Sequence, residues 1–216
     1  MVIPLSPPRP AIILWTSKGA GCETVGVFAA NVFPMAELKT ARLLLRAHLE
    51  QDVEPTVAMF NDDLSTRWLS GPQPYTEADG RVWCTQAAHT MRTMGMGINW
   101  AITDLESGRY IGGIGLKGTD WQRRVTEVGY AVGAWARGRG YAPEATRAVA
   151  EWTLREQKLN RVELFAAVGN AASQRVAEKA GFVREGISRH SGFTHHGQED
   201  MVMFSLIPAD LGKSGL

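Results

Sequence analysis

The stretch EVGYAVGAWARGRGYAPEATRAVA, residues 127–150, decides the fold. Its first part, taken from Val125 through Val132, is apolar and aromatic with β-branched residues and is bounded by Gly133, which reads as a strand. From about Tyr141 the pattern changes to a helix. Pro143 falls in the first turn, where a missing N–H costs nothing, and Ala145, Ala148, Val149 and Trp152 recur at helical spacing. Between the two lies the turn Arg137-Gly138-Arg139-Gly140-Tyr141-Ala142. Glycine lets a backbone turn tightly and approach a ligand. A helix start offers unpaired N–H groups at the positive end of a dipole. Together these bind phosphate, and Arg137 and Arg139 add charge-assisted donors.

Three phosphate-binding patterns compete for this turn. A P-loop needs the lysine and hydroxyl of GxxxxGK[ST], and the turn has neither. A dinucleotide fingerprint, GxGxxG, fails because Pro143 stands where the third small residue belongs, and Glu163 lies inside the next strand rather than at its end. The third pattern, [Q/R]-x-x-G-x-[G/A], is met in register by Arg137, Gly140 and Ala142. A plain glycine-rich connection accounts for six residues equally well, so the flanking sequence has to decide.

The whole chain narrows the field. It has 216 residues, of which 44% are hydrophobic, enough for one full core. Its net charge of +1 supplies no global field for nucleic acid or an acidic membrane. Two cysteines, Cys22 and Cys84, make neither a disulfide framework nor a zinc set and suit a reducing cytoplasm. No apolar run reaches the length of a membrane span, and no internal repeat is evident. Residues 1–34 are proline-rich, sparsely charged and without period. They read as an irregular or spurious extension, with a single domain over residues 35–210 and a tail at 211–216.

Outward from the turn, strands are expected over residues 38–47, 98–104, 110–117 and 125–132, then at 161–168, with a last antiparallel pair over 182–193 and 199–207. Helices are expected over 51–60 and 62–69, from the capping box Thr76-x-x-Asp79 through about 94, from 141, and over 171–180 with Asn170 as N-cap and Gly181 as its stop. Glycines 112, 113 and 115 predict a bulge or close backbone contact. The strand–helix–strand order around 125–168 calls for a right-handed crossover and a parallel pair. The fold class is therefore α+β, a mixed and mostly antiparallel sheet with helices on both faces.

A second block supports the turn. Asn170-Ala171-Ala172-Ser173, followed by Glu178-Lys179-Ala180-Gly181-Phe182, is similar to the N-x-x-S…E-K-x-G-F segment of the RimJ/RimL-type branch of the general N-acetyltransferase (GNAT) superfamily. The opening TARLLLR (40–46), the strand EVGY (127–130), and Glu185-Gly186, Arg189, Gly197 and Asp200 match the same branch. Each motif is weak alone, and five in the right order are specific. The resemblance spans residues 38–207.

That resemblance implies acyl transfer from acyl-CoA, by default acetyl-CoA, to an amine that is either a protein N-terminus or a small molecule. It places the pyrophosphate on the N–H groups of Arg139, Gly140, Tyr141 and Ala142, beside Arg137 and Gly138. The pantetheine pairs with the strand edge at Val132 and Ala134 and with Asn170, and the Val132 N–H or a neighbour meets the thioester oxygen. Glu127 is the candidate base, acting through a water, and an exposed strand carboxylate is its plain alternative. The helix tyrosine that many members use to meet the leaving thiolate is absent, because the matching position reads Val176-Ala177. Ser173 is the nearest hydroxyl, though it also suits a first-turn residue satisfying its own backbone. Trp68, Trp83 and residues 91–96 fit an amine pocket or ordinary core; Asp62 and Asp63 fit a cation site or a solvated helix end. His89 reads as helix surface and His195-His196 as turn residues, so no metal is expected. A non-catalytic acyl-CoA sensor, a nucleic-acid module and a succinyl donor met by Arg109, Arg123 or Arg124 remain alternatives. Homodimerisation through the sheet or the tail is open.

Overall fold

The structure, a computed structural model, describes residues 31–212. Eight strands make one sheet in the order β1-β2-β3-β4-β5-β6-β8-β7. They are β1 (Leu38–Lys39), β2 (Leu43–Arg46), β3 (Ile98–Asp104), β4 (Tyr110–Asp120), β5 (Val125–Val132), β6 (Arg161–Ala167), β7 (Val183–Thr194) and β8 (Gly197–Leu206). Every neighbouring pair is antiparallel except β5 and β6. A parallel pair needs a crossover, and helix α5 (Tyr141–Arg155) provides it. Helix α6 (Ala171–Lys179) follows β6, and its Asn170 cap accepts from the Ser173 N–H at 3.0 Å.

Alternation along the strands buries both faces of the sheet. On β3, Trp100 and Ile102 point into the main core with Val149 and Trp152 of α5. Ala101, between them, packs in a separate cluster with Tyr110 and with Met59 of helix α1 (Val53–Phe60). Phe33 is fully buried between Trp121 and Trp152, with ring centroids 4.7 and 5.7 Å away. The packed body therefore begins upstream of Met35, where the sequence has no period to announce it. The expectations for residues 1–30, Cys22 among them, lie outside the described residues.

Two expected elements take a different form. Residues 38–47 are not one strand but the two strands β1 and β2, folded back on each other at residues 40–42. Thr40 makes the corner, since its hydroxyl accepts from the Leu43 N–H at 2.9 Å and its own N–H donates to the Leu43 carbonyl. The helix after Thr76 runs as α3 (Glu77–Val82), a π-helical turn (Trp83–Ala87) and α4 (Ala88–Thr93). In that turn the Cys84 carbonyl meets the His89 ring at 3.0 Å, so His89 is half-buried rather than a surface residue. The glycines of β4 mark close approaches. A Cβ on Gly112 would stand 2.1 Å from the Ala131 carbonyl oxygen, and the β3–β4 register shifts at Ile102/Thr103.

Candidate active site

The turn before α5 is built for an anion. Gly138 and Gly140 both take left-handed backbone, φ 77° and 78°, which only glycine adopts without cost. The N–H groups of residues 138–142 donate to no protein acceptor among the described residues, so an anion can take them. A clamp from the first hairpin fixes the turn. Arg42 Nε donates to Glu144 Oε2 at 2.7 Å, and its Nη1 reaches the Arg139 carbonyl at 3.0 Å. Thr40 donates to Glu144 Oε1 at 2.6 Å. Burial pushes the Glu144 carboxyl up, and the bonds from Thr40 and Arg42 outweigh that to hold it below its ordinary range.

Arg137 is a strut rather than a free phosphate ligand. Its Nε donates to the Val132 carbonyl at 3.0 Å, and its Nη2 donates to Asp62 Oδ2 at 2.7 Å and to Ser65 Oγ at 3.3 Å. Asp62 caps helix α2 (Asp63–Trp68), so this arginine ties that helix to the end of β5. Burial would raise the Asp62 carboxyl, and the bonds from Arg137 and Ser65 overcome it and hold it low. Arg139, Arg175 and Lys179 make no ion pair among the described residues. Arg175 and Lys179 line the cleft beside the turn, which has a volume of about 380 Å³.

Strands β5 and β6 pair only from Val125/Arg161 to Glu127/Glu163 and then separate. Beyond that point β5 has no strand partner on this side among the described residues. The Gly133 N–H donates across to β4, at the Ile111 carbonyl, so strand alternation turns the backbone groups of Val132 and Tyr130 toward the gap. The strand ends at Val132. Ala134 lies in a 3-10 turn (Ala134–Ala136), exposed and away from the cleft lining, which removes it from the expected edge.

Tyr130 crosses the gap. Its hydroxyl sits 2.9 Å from Ser173 Oγ on α6, and burial raises its pKa to about 12. A tyrosine therefore does stand here, delivered by the central strand instead of the helix. Asn170, Ser173, Tyr130, Trp68 and Leu69 line both the cleft at the phosphate turn and a second one of about 590 Å³. The two clefts meet at these residues.

Glu127 lines the second cleft, half-buried, with its carboxylate 2.9 Å from Lys117 Nζ on β4. Trp83, Met91, Met94 and Met96 line neither cleft, nor do Arg109, Arg123 and Arg124. His195 and His196 sit in the β7–β8 turn. Among the described residues, no group of His, Cys, Asp and Glu comes together as a metal ion would require. No described helix is long and apolar enough to cross a membrane. The features that fit acetyl-CoA are concrete: five N–H groups at one turn that are unpaired among the described residues, an open strand edge leading away from it, and hydroxyls where the two clefts meet.

Comparison with known proteins agrees with this geometry. Residues 42–183 match the profile of the acetyltransferase (GNAT) domain. The chain is similar to the uncharacterized N-acetyltransferase YoaA of Bacillus subtilis (strain 168), 27% identical over 176 residues, covering 82% of this chain and 98% of that one. It is 25% identical over 173 residues to the uncharacterized N-acetyltransferase p20 of Bacillus licheniformis, covering 80% and 97%. Its fold is shared with a GNAT-family acetyltransferase of Bacillus anthracis, with a TM-score of 0.68 at 24% identity over 80% and 98% of the chains. RimL, a ribosomal L7/L12 α-N-protein acetyltransferase solved with coenzyme A, superposes with a TM-score of 0.69 at 20% identity, covering 82% and 98%. The chain belongs to the GNAT acetyltransferase family.

Proposed function

We propose that the chain transfers an acetyl group from acetyl-CoA to a primary amine by direct attack in a ternary complex. The observation that carries this reading is the meeting of two clefts at the β5–β6 gap, one ending at an anion-binding turn and the other at a carboxylate. The resemblance to the RimJ/RimL-type branch supports a protein N-terminal amine as acceptor, and a small-molecule amine is the other candidate. An α-amine at a peptide terminus titrates near 8 and a lysine near 10.4. At pH 7 roughly a tenth of the former is neutral, against less than a thousandth of the latter. The free Cys84 thiol suits a reducing compartment, which we take to be the cytoplasm.

The residues divide the work. The turn at 138–142 holds the pyrophosphate, and Asn170 Nδ2, which donates to nothing among the described residues, is available to a pantetheine amide. The Val132 N–H faces the gap, where it can donate to the thioester oxygen as the amine nitrogen adds to the carbonyl carbon. Glu127 orients the incoming ammonium and relays its proton through water to solvent. As the carbon–sulfur bond breaks, the electron pair stays on sulfur and the Tyr130 hydroxyl donates a hydrogen bond to it. A thiol titrates near 8.5 and Tyr130 near 12, so giving the proton away would run uphill by about 5 kcal/mol. Tyr130 thus keeps its proton and stabilises the thiolate.

Release of free thiol from acetyl-CoA in the presence of N-terminal peptides, amino acids, polyamines and aminoglycosides tests the reading. Turnover with one acceptor class supports it. The rival of an acyl-CoA sensor requires acetyl-CoA binding with no turnover for any acceptor.

A further inference from the structure

The second cleft has an unusual charge content. Among the described residues that line it, only two are charged, Lys117 and Glu127. They face each other as direct cross-strand partners on β4 and β5, 2.9 Å apart, in the lining of the cleft. Gly129 beside them carries no side chain, and the Lys117 stem leans over it, Cε 3.7 Å from where a Cβ would stand. The walls are apolar or hydroxylic apart from the Asn170 amide, with Trp68, Phe165, Phe193 and Met201 among them.

An ammonium that reaches Glu127 takes the place of Lys117. If the acceptor carries nothing else, Lys117 loses its counterion. If the acceptor carries a carboxylate close to its amine, the exchange balances, with ammonium to Glu127 and carboxylate to Lys117. A polycation would want several carboxylates, and the described lining has one, already neutralised. A peptide N-terminus brings the amine without the anion.

We propose that the acceptor is a small zwitterion of the α-amino acid type with an apolar or aromatic side chain, and that Lys117 binds its carboxylate. This rests on the acyl-transfer reading of the same site. Lys117 is half-exposed, so its contribution is of the order of 1 kcal/mol, a factor of about five.

The test uses matched trios, each an amino acid, its amide and the amine lacking the carboxyl group, built on phenylalanine, methionine and leucine. Thiol release from acetyl-CoA is measured for each. The expected result is a kcat/KM for the acid about fivefold above both partners, carried mainly by KM. In Lys117→Gln that ratio falls to near one, in Lys117→Arg it is retained, and in Lys117→Glu it reverses. Acids, amides and amines turning over equally, or a preference that survives Lys117→Gln, overturns this inference and leaves acetyl transfer standing. Absence of turnover for every acceptor, including peptides and polyamines, overturns both.

Discussion

Replacing Tyr130 by phenylalanine removes one oxygen at the point where the two clefts meet. The structure sets two separate costs. The ground-state bond between the Tyr130 hydroxyl and Ser173 Oγ, 2.9 Å long, joins neutral groups, and its loss destabilises the fold by about 0.5–1.5 kcal/mol. For a chain of this size that lowers Tm by roughly 2–5 °C. During transfer the same hydroxyl faces a developing thiolate. A hydrogen bond to a charged group contributes about 1.5–3 kcal/mol, so kcat should fall by about 10- to 150-fold. Continuous thiol-release assays on both forms give kcat and the KM for acetyl-CoA, and a thermal scan gives the fold cost. The account expects a large fall in kcat with KM within about twofold. Because burial holds Tyr130 near pKa 12, the kcat–pH profile of the parent should show no tyrosine limb below pH 10. A kcat within twofold of the parent, or loss of acetyl-CoA binding together with activity, would refute the role given to Tyr130.

Further outcomes follow from the clamps and from burial. Asp62→Asn removes the ion pair between Arg137 and the cap of α2 and should raise the KM for acetyl-CoA by about three- to tenfold, as a half-buried pair contributes about 1 kcal/mol. The Asp62 carboxyl is held below its unfolded value, so its contribution is full above about pH 4 and is lost as pH falls further. Gly140→Ala forces a side chain into backbone at φ 78° and should cost about 1–2 kcal/mol, read as a lower Tm and weaker acetyl-CoA binding. His48 is buried, its Nε2 has no partner among the described residues, and desolvation pushes its pKa down to about 4, against about 6.5 unfolded. The unfolded chain then binds the proton first. Stability is full above about pH 6.5 and falls by about 2 kcal/mol by pH 5. Urea denaturation at the two pH values checks this, and His48→Gln should flatten the difference.

What the sequence disclosed depended on how local the cause was. The turn at Arg137–Ala142 is legible because its glycines, its arginines and Pro143 act through backbone geometry within six residues. The strand 125–132 is legible because alternation and Gly133 bound it. The capping box at Thr76 and the stop at Gly181 are likewise local, and both stand in the structure. The long-range contacts were not legible. Tyr130 meets Ser173 across 43 residues of chain, and nothing in EVGY says which face of the strand will look toward α6. Arg42 meets Glu144 across 102 residues, so its place in TARLLLR gave a match without a reason. Asp62 fits a cation site or a solvated helix end from sequence alone, because its partner Arg137 stands 75 residues away. Phe33 gives no signal in the sequence, since one aromatic residue among prolines carries no period, yet three-dimensional packing buries it in the core.

The central claim is that the turn before α5 and the free edge of β5 hold acetyl-CoA while an amine in the second cleft takes its acetyl group. The most direct measurement is mass spectrometry of the acceptor, paired with free thiol, after incubation of the full chain with acetyl-CoA and the amine panel. The account predicts an acceptor heavier by one acetyl group and an equal amount of free CoA thiol. An unchanged panel, with no rise in Tm on adding acetyl-CoA, would contradict it.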